Sequence, residues 1–161
     1  MTSHKQCFPP VISSEVRLLI LGSLPGDASL AAGQYYAHPR NQFWRLLGEV
    51  LGEPLGEMPY AERLGCLLEH RVGLWDVVAQ ARRQGSLDAA LNDVEHNDLL
   101  TLTRSLPRLE AVGFNGGTAF KAANSLADSP LALLALPSSS PAYTRPYEEK
   151  LAIWLTLRRY L

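Results

Sequence analysis

The sequence predicts an α/β fold: a single-domain three-layer sandwich, with a central four-stranded parallel sheet and helices on both faces. Three observations carry this. Four short apolar runs, at residues 16–21, 72–78, 110–114 and 131–136, read as buried strands. Segments with helical spacing of apolar residues lie between them, and strands alternating with helices give parallel sheets covered on both sides. No repeat, low-complexity tract or Pro/Gly/Ser-rich linker divides the 161 residues. Residues 1–161 are therefore expected to form one domain, with 1–10 loosely ordered.

The first strand, Val16-Arg17-Leu18-Leu19-Ile20-Leu21, stops at Gly22. The next segment, 42–51, places Phe43, Leu46, Leu47, Val50 and Leu51 at helical spacing and ends at Gly52 before Pro54. A second helix is expected over 61–69, followed by the strand at 72–78. Residues 79–93 are polar, contain Arg82, Arg83 and Gly85-Ser86, and are expected to be a loop. A helix over 97–105 ends before Pro107. Strand 110–114, helix 118–126 and strand 131–136 follow. A closing helix over 146–160 has Leu151, Trp154, Leu155 and Leu157 as its apolar side. Glu148-Glu149-Lys150 is expected to be a solvated face, with Arg158-Arg159 near the negative end of the helix dipole.

Hydrophobic residues make up 47% of the chain and its formal charge is −1. That balance argues against a large sequence-independent nucleic-acid surface, although charge placement matters more than the sum. No apolar run approaches the ~20 residues of a membrane span. Residues 1–10 lack the apolar core of a secretory signal, and Cys7 and Cys66 make no disulfide framework. A cytoplasmic protein with reduced thiols is expected, nucleoid-associated in a bacterium, and with no membrane partner.

Two loops follow predicted strands at their carboxyl ends, where open parallel sheets form ligand crevices. One is Gly22-Ser23-Leu24-Pro25-Gly26, continuing to Tyr35-Tyr36-Ala37-His38-Pro39-Arg40-Asn41-Gln42-Phe43-Trp44. The other is Leu136-Pro137-Ser138-Ser139-Ser140-Pro141-Ala142. They are expected to face one another across one site. The first lacks the Gly-Lys-Ser/Thr ending of a P-loop and the spacing of GxGxxG. Its two glycines either bring backbone N–H groups close to a ligand or simply make a turn. Asn41 suits either a helix N-cap or an amide aimed at a ligand. Phe43 and Trp44 read as core, and Tyr36 as core or as a ring face for a planar ligand. The serines have no GxSxG elbow and no evident His partner, so no serine nucleophile is expected; a plain Ser/Pro turn is the alternative. His4, His38, His70 and His96 show no metal-ligand spacing with Cys or carboxylate, so no metal is expected.

Tyr36-Ala37-His38-Pro39-Arg40-Asn41-Gln42-Phe43-Trp44 resembles, position by position, the aromatic-Ala-His-Pro-x-Asn-x-Phe-Trp segment of the uracil-DNA glycosylase superfamily. Leu136-Pro137-Ser138-Ser139-Ser140 is similar to that family's second active-site loop, as is Phe114-Asn115-Gly116 to the segment after its third strand. The likeness spans nearly the whole chain and falls nearest the hypoxanthine-DNA glycosylase branch. Mismatch-specific uracil and thymine glycosylases carry Gly-x-Asn-Pro-Gly where this chain has Leu24, and leucine cannot hold a water or hydrogen-bond a base. In the hypoxanthine branch the important amide lies in the His-Pro-x-Asn segment, which is Asn41 here.

The resemblance implies a monofunctional DNA glycosylase acting in base excision repair. It would flip a deaminated nucleotide, most simply deoxyinosine, hydrolyse the N-glycosidic bond with water and leave an abasic site. It implies DNA as partner, a monomer, and neither metal nor nucleotide cofactor. No Lys matches either active-site loop, so Schiff-base lyase chemistry is not expected. Asn41 is the expected catalytic residue, orienting water by its carbonyl or donating to the leaving base by its NH2. Ser23, Leu24, Tyr36 and Asp76 are the expected base-binding residues, with Gly22, Pro25 and Gly26 shaping the turn. Ser138, Ser139, Ser140, Pro141 and Ala142 are expected to wedge into the DNA and hold flanking phosphates. Mismatch enzymes often carry Arg in this loop; Ala142 stands there, which implies weak dependence on a mispair unless Arg145 or Tyr143 compensates. Asp76 either accepts the N1–H of hypoxanthine, caps a loop, or pairs with Arg82 or Arg83. Asn115 contacts the sugar-phosphate or holds its turn, and Ser86 binds phosphate or caps a turn. Two rivals remain: a uracil or mismatch-directed glycosylase of the same fold, and a non-catalytic module that binds a nucleotide or damaged DNA.

Overall fold

The computed structural model describes residues 3–83 and 91–161. Ser86 and the side chains of Arg82 and Arg83 lie outside the described residues. The strands are β1 (Ser3–Gln6), β2 (Leu18–Gly22), β3 (Val72–Asp76), β4 (Val78–Arg83), β5 (Leu91–His96), β6 (Ala111–Asn115) and β7 (Ala132–Leu136). The helices are α1 (Asp27–Ala32), α2 (Phe43–Leu51), α3 (Tyr60–Glu69), α4 (Leu99–Arg104), α5 (Gly117–Phe120) and α6 (Tyr147–Trp154). A 3-10 turn over Lys121–Leu126 continues α5, and another over Leu155–Tyr160 continues α6.

The predicted parallel sheet is present in the order β3-β2-β6-β7. Leu18 pairs in register with Val72 on one side and Ala111 on the other, so β2 is central. Side chains alternate along a strand, which sends Leu18 and Ile20 to one face and Leu19 and Leu21 to the other. All four are fully buried, the reason the strand reads as an unbroken apolar run. One face packs against Phe43, Leu46 and Leu47 of α2, Leu67 of α3 and Trp154 of α6. The other packs against Leu99 of α4, Ala119 of α5 and Leu126. This is the three-layer arrangement.

Three expectations fail here. Of residues 79–93, the described ones, 79–83 and 91–93, are not loop: they belong to β4 and β5, which form a second, antiparallel sheet with β1 in the order β1-β4-β5, while 84–90 lie outside the described residues. Residues 3–6, expected to be loosely ordered, are its edge strand, paired with β4 from Ser3↔Arg83 to Gln6↔Gln80. The run 72–78 is likewise two strands. After Asp76 the chain leaves the parallel sheet, with Val77 N–H donating to Gly22 O (2.8 Å) and Val78 N–H to Ser23 O (3.0 Å). The β4–β5 register slips between Val78 and Gln80 and again between Gln80 and Arg82. Val78 and Ala81 are consequently both buried although three positions apart, which breaks the period-two signature.

The closing segment corrects a further reading. Lys150, expected in a solvated face, is 1% exposed. Arg158 does not serve its own helix end; it donates to Val50 O (3.0 Å) and Glu49 O (2.6 Å), satisfying carbonyls at the end of α2.

Candidate active site

The carboxyl ends of β2, β3, β6 and β7 open onto one cleft of about 510 Å3. Gly22 closes β2, and its missing side chain matters. A Cβ there would stand 2.6 Å from Tyr36 Oη and 2.7 Å from Asp76 Oδ1. Glycine lets the tyrosine hydroxyl and the carboxylate converge over the strand end. Asp76 is buried, and its backbone oxygen accepts from Asn97 Nδ2 at 2.7 Å. Leu24 is buried among Val77, Val78 and the second core cluster, so it contributes an apolar wall.

Tyr36 adopts a left-handed backbone conformation, with φ of +53°. Its ring stacks on Phe43 at 3.9 Å between centroids and 15° between planes. Phe43 in turn meets Trp44 (5.0 Å) and Trp154 (5.8 Å) edge-on, inside the core. The neighbouring Tyr35 faces the other way: its hydroxyl donates to Pro9 O at 3.1 Å. Burial, and after it the charge of Asp76, pushes the Tyr35 phenol well above its ordinary pKa, so it stays neutral.

Asn41 lies in a turn closed by its own N–H donating to His38 O (2.9 Å). Its Oδ1 accepts from Phe43 N–H at 3.0 Å. Gln42 occupies the N-cap position of α2 without a side-chain cap bond, so Asn41 supplies the capping oxygen from one residue further out. The two readings of Asn41 therefore coincide in one geometry. One end of its carboxamide is fixed to the helix start, which orients the whole group while Asn41 lines the cleft.

The serine loop is held from four directions. Trp154 Nε1 donates to Pro137 O (3.0 Å). Asn115 Nδ2 donates to Ser139 Oγ (2.9 Å), and Ser139 N–H donates back to Asn115 Oδ1 (2.9 Å). Gln42 N–H donates to Ser139 O (2.9 Å). Lys150 Nζ reaches Ser140 O (3.4 Å) and Gln42 Oε1 (2.9 Å). These contacts correct one expectation: Ser139 is 1% exposed and braces the loop, so it is not a wedge side chain. Ser138 and Ser140 are half-buried, while Pro141, Ala142 and Tyr143 are exposed. Asn115 holds the serine loop as a long-range brace to Ser139 rather than closing its own turn.

Every residue assigned above to the catalytic, base-binding, turn and wedge groups lines this one cleft, and so do Ser29, Tyr35, His38, Asn115 and Tyr143. Ser29 and Tyr35 were not foreseen. Ser29 sits on α1, too short for a periodic signal, and its Oγ accepts from Ala37 N–H at 3.0 Å. His38 Nδ1 accepts from Arg40 N–H (3.1 Å), shaping the turn before Asn41.

Among the described residues, one group could hold a metal, away from the cleft. Ligand atoms of Glu53, Cys66 and His70 lie within 4.8 Å of one another, with His70 Nε2 3.1 Å from Glu53 Oε1. His70 thus has Cys66 one helical turn behind it, contrary to the spacing argument made from sequence. The group sits just before β3, at the amino edge of the sheet. No helix among the described residues is long and apolar enough to cross a membrane.

Comparison with known proteins agrees with this geometry. The family model for the uracil DNA glycosylase superfamily matches residues 9–158. A protein of Methanosarcina barkeri named hypoxanthine DNA glycosylase is 48% identical over 112 residues, covering 70% of this chain and 71% of the relative. A protein of the same name from Methanosarcina acetivorans is 39% identical over 156 residues, covering 97% of this chain and 99% of the relative. The solution NMR structure of a protein from M. acetivorans, assigned provisionally as a uracil DNA glycosylase, superposes with a TM-score of 0.89 at 39% identity. It covers 98% of both chains.

Proposed function

The chain belongs to the uracil DNA glycosylase superfamily and is a DNA glycosylase, and we propose that it releases hypoxanthine from flipped deoxyinosine in base excision repair. The observation that carries the reading is the meeting of Asn41, Tyr36 and the serine loop at one cleft, with the Asn41 carbonyl already given to Phe43 N–H. That bond favours the NH2 end of Asn41 as the group offered to the substrate.

On this reading the extruded purine lies on the Tyr36 ring, whose position Phe43 maintains from behind. Asp76, as an ionised acceptor, takes the N1–H that hypoxanthine presents. Adenine presents a lone pair at the same atom and is repelled. Water adds to C1′ as the C1′–N9 bond breaks; the bonding pair leaves on the purine, and the water gives its proton to solvent. Asn41 Nδ2 donates to the departing base, where negative charge builds. A fixed donor of this kind is worth ~10²–10³ in rate. Ser138, Ser140, Pro141 and Ala142 enter the vacated stack and hold flanking phosphates, offsetting the few kcal/mol of unstacking. The enzyme works as a cytoplasmic monomer, and this scheme uses no cofactor.

The test mixes purified protein with a duplex carrying one deoxyinosine. Chromatography of released hypoxanthine and alkaline scission at the abasic site should both be positive, and Asn41→Ala should lower the single-turnover rate ~10²–10³-fold. Release of uracil alone from a matched uracil duplex would assign a different base. Binding without release would make the protein a recognition module. A folded Asn41→Ala with full activity would remove Asn41 from the mechanism.

A further inference from the structure

A cation beside a DNA-facing loop is ordinarily read as a phosphate contact. Lys150 cannot be one, because it is 1% exposed. Its ammonium donates to Gln42 Oε1 at 2.9 Å and Ser140 O at 3.4 Å, and stands 5.3 Å from the Tyr143 ring centroid. Trp154, one helical turn on, donates to Pro137 O and meets Phe43 edge-on. One face of α6 therefore grips both ends of the serine loop and the start of α2. Asn41 immediately precedes Gln42. Burial depresses the Lys150 pKa, so the charge is held there at a cost to stability.

We propose that Lys150 is a positioning residue of the active site: its buried ammonium locks the wedge loop to the Asn41 segment, fixing the distance between the loop that opens the DNA and the amide that acts on the base. The proposal rests on the glycosylase reading but not on the identity of the base. Tolerating a buried cation, where a methionine of similar length would pack at least as well, is a trade of stability for geometry. Displacements of ~1 Å between reacting partners cost about a hundredfold in rate. Loss of the ammonium leaves Ser140 O and Gln42 Oε1 without this donor and lets the two segments drift.

The experiment compares the parent protein, Lys150→Met, Gln42→Leu and the double variant. Each is assayed in single turnover on whichever deaminated-base duplex the parent cleaves; a parent active only on uracil would revise the base assignment and leave this proposal standing. Lys150→Met should retain or raise the melting temperature while slowing the single-turnover rate about tenfold to a hundredfold. Affinity for undamaged duplex and its salt dependence should stay at parent values. Gln42→Leu, which removes no cap bond, should slow the reaction similarly, and the double variant should be little slower than either single one. Folded variants with the parent rate would overturn the proposal. So would multiplicative effects in the double variant, or a salt slope reduced by about one, the mark of a lost phosphate contact. If Lys150→Met does not fold, Gln42→Leu decides: the parent rate there is equally fatal.

Discussion

Gly22→Ala is the smallest change that tests how the cleft is assembled. Gly22 does not have a positive φ, so alanine costs nothing in backbone strain. The whole effect comes from one methyl group set 2.6 Å from Tyr36 Oη and 2.7 Å from Asp76 Oδ1, closer than real Cβ atoms stand to neighbours. Neither neighbour can yield easily. Tyr36 is stacked on Phe43, which is itself fully buried, and Asp76 is 3% exposed at the end of β3. Overpacking of this kind costs about 1–3 kcal/mol in stability. Both groups are also expected to touch the base, and a displacement near 1 Å costs roughly a hundredfold in rate. Urea denaturation and single-turnover base release read the two effects separately. Gly65→Ala is the control: nothing lies within 4 Å of its Cβ, it sits inside α3, and it should stabilise by up to about 1 kcal/mol. A Gly22→Ala protein with the parent's stability and a rate within about threefold would refute the reasoning, because the convergence over Gly22 would then not govern the site.

Asn41→Asp keeps the oxygen that caps α2 but loses the NH2 and adds negative charge. Its stability should stay within about 1 kcal/mol of the parent while its rate falls at least as far as that of Asn41→Ala. Asn115→Ala leaves Ser139 N–H and Oγ without their partner; denaturant melts should show a loss of about 1–3 kcal/mol, with slower base release. Burial is the first cause raising the pKa of Cys66, Tyr35, Tyr60 and Tyr147. Groups raised in the fold add stability that is present below their unfolded pKa and lost as pH rises through the folded value. Unfolding free energy should therefore begin to fall above about pH 9, where unfolded thiols ionise. Lys150 runs the other way, since its pKa is lowered, so Lys150→Met should steepen the alkaline loss measured by denaturant titration across pH 8 to about 11.

The central sheet was legible because β2, β3 and β6 are buried on both faces: Leu18 through Leu21 leave no polar position to confuse the pattern. Helices α2 and α3 were legible from periodicity, and α2 also from the αL glycine at Gly52. The second sheet was hidden by its own chemistry. Strands β4 and β5 carry polar residues on a solvated side, and the register slips around Gln80 put the inward residues out of step. Its third member, β1, lies some 75 residues away in the chain. At the site, motif position brought the right loops together, but side-chain direction could not be read from it. Three consecutive serines look alike in sequence, yet only Ser139 turns inward to Asn115. Lys150 follows two glutamates and looked solvated, because the groups that bury it belong to Gln42 and the serine loop, both remote or irregular.

The contact of Tyr36 with Phe43, and of Phe43 with the two indoles of Trp44 and Trp154, has an optical corollary. On the proposed reading, a purine settling on the outer ring would be one phenylalanine away from the indoles of Trp44 and Trp154. Tryptophan emission is then expected to change on nucleotide capture, and a stopped-flow trace would time extrusion apart from bond cleavage.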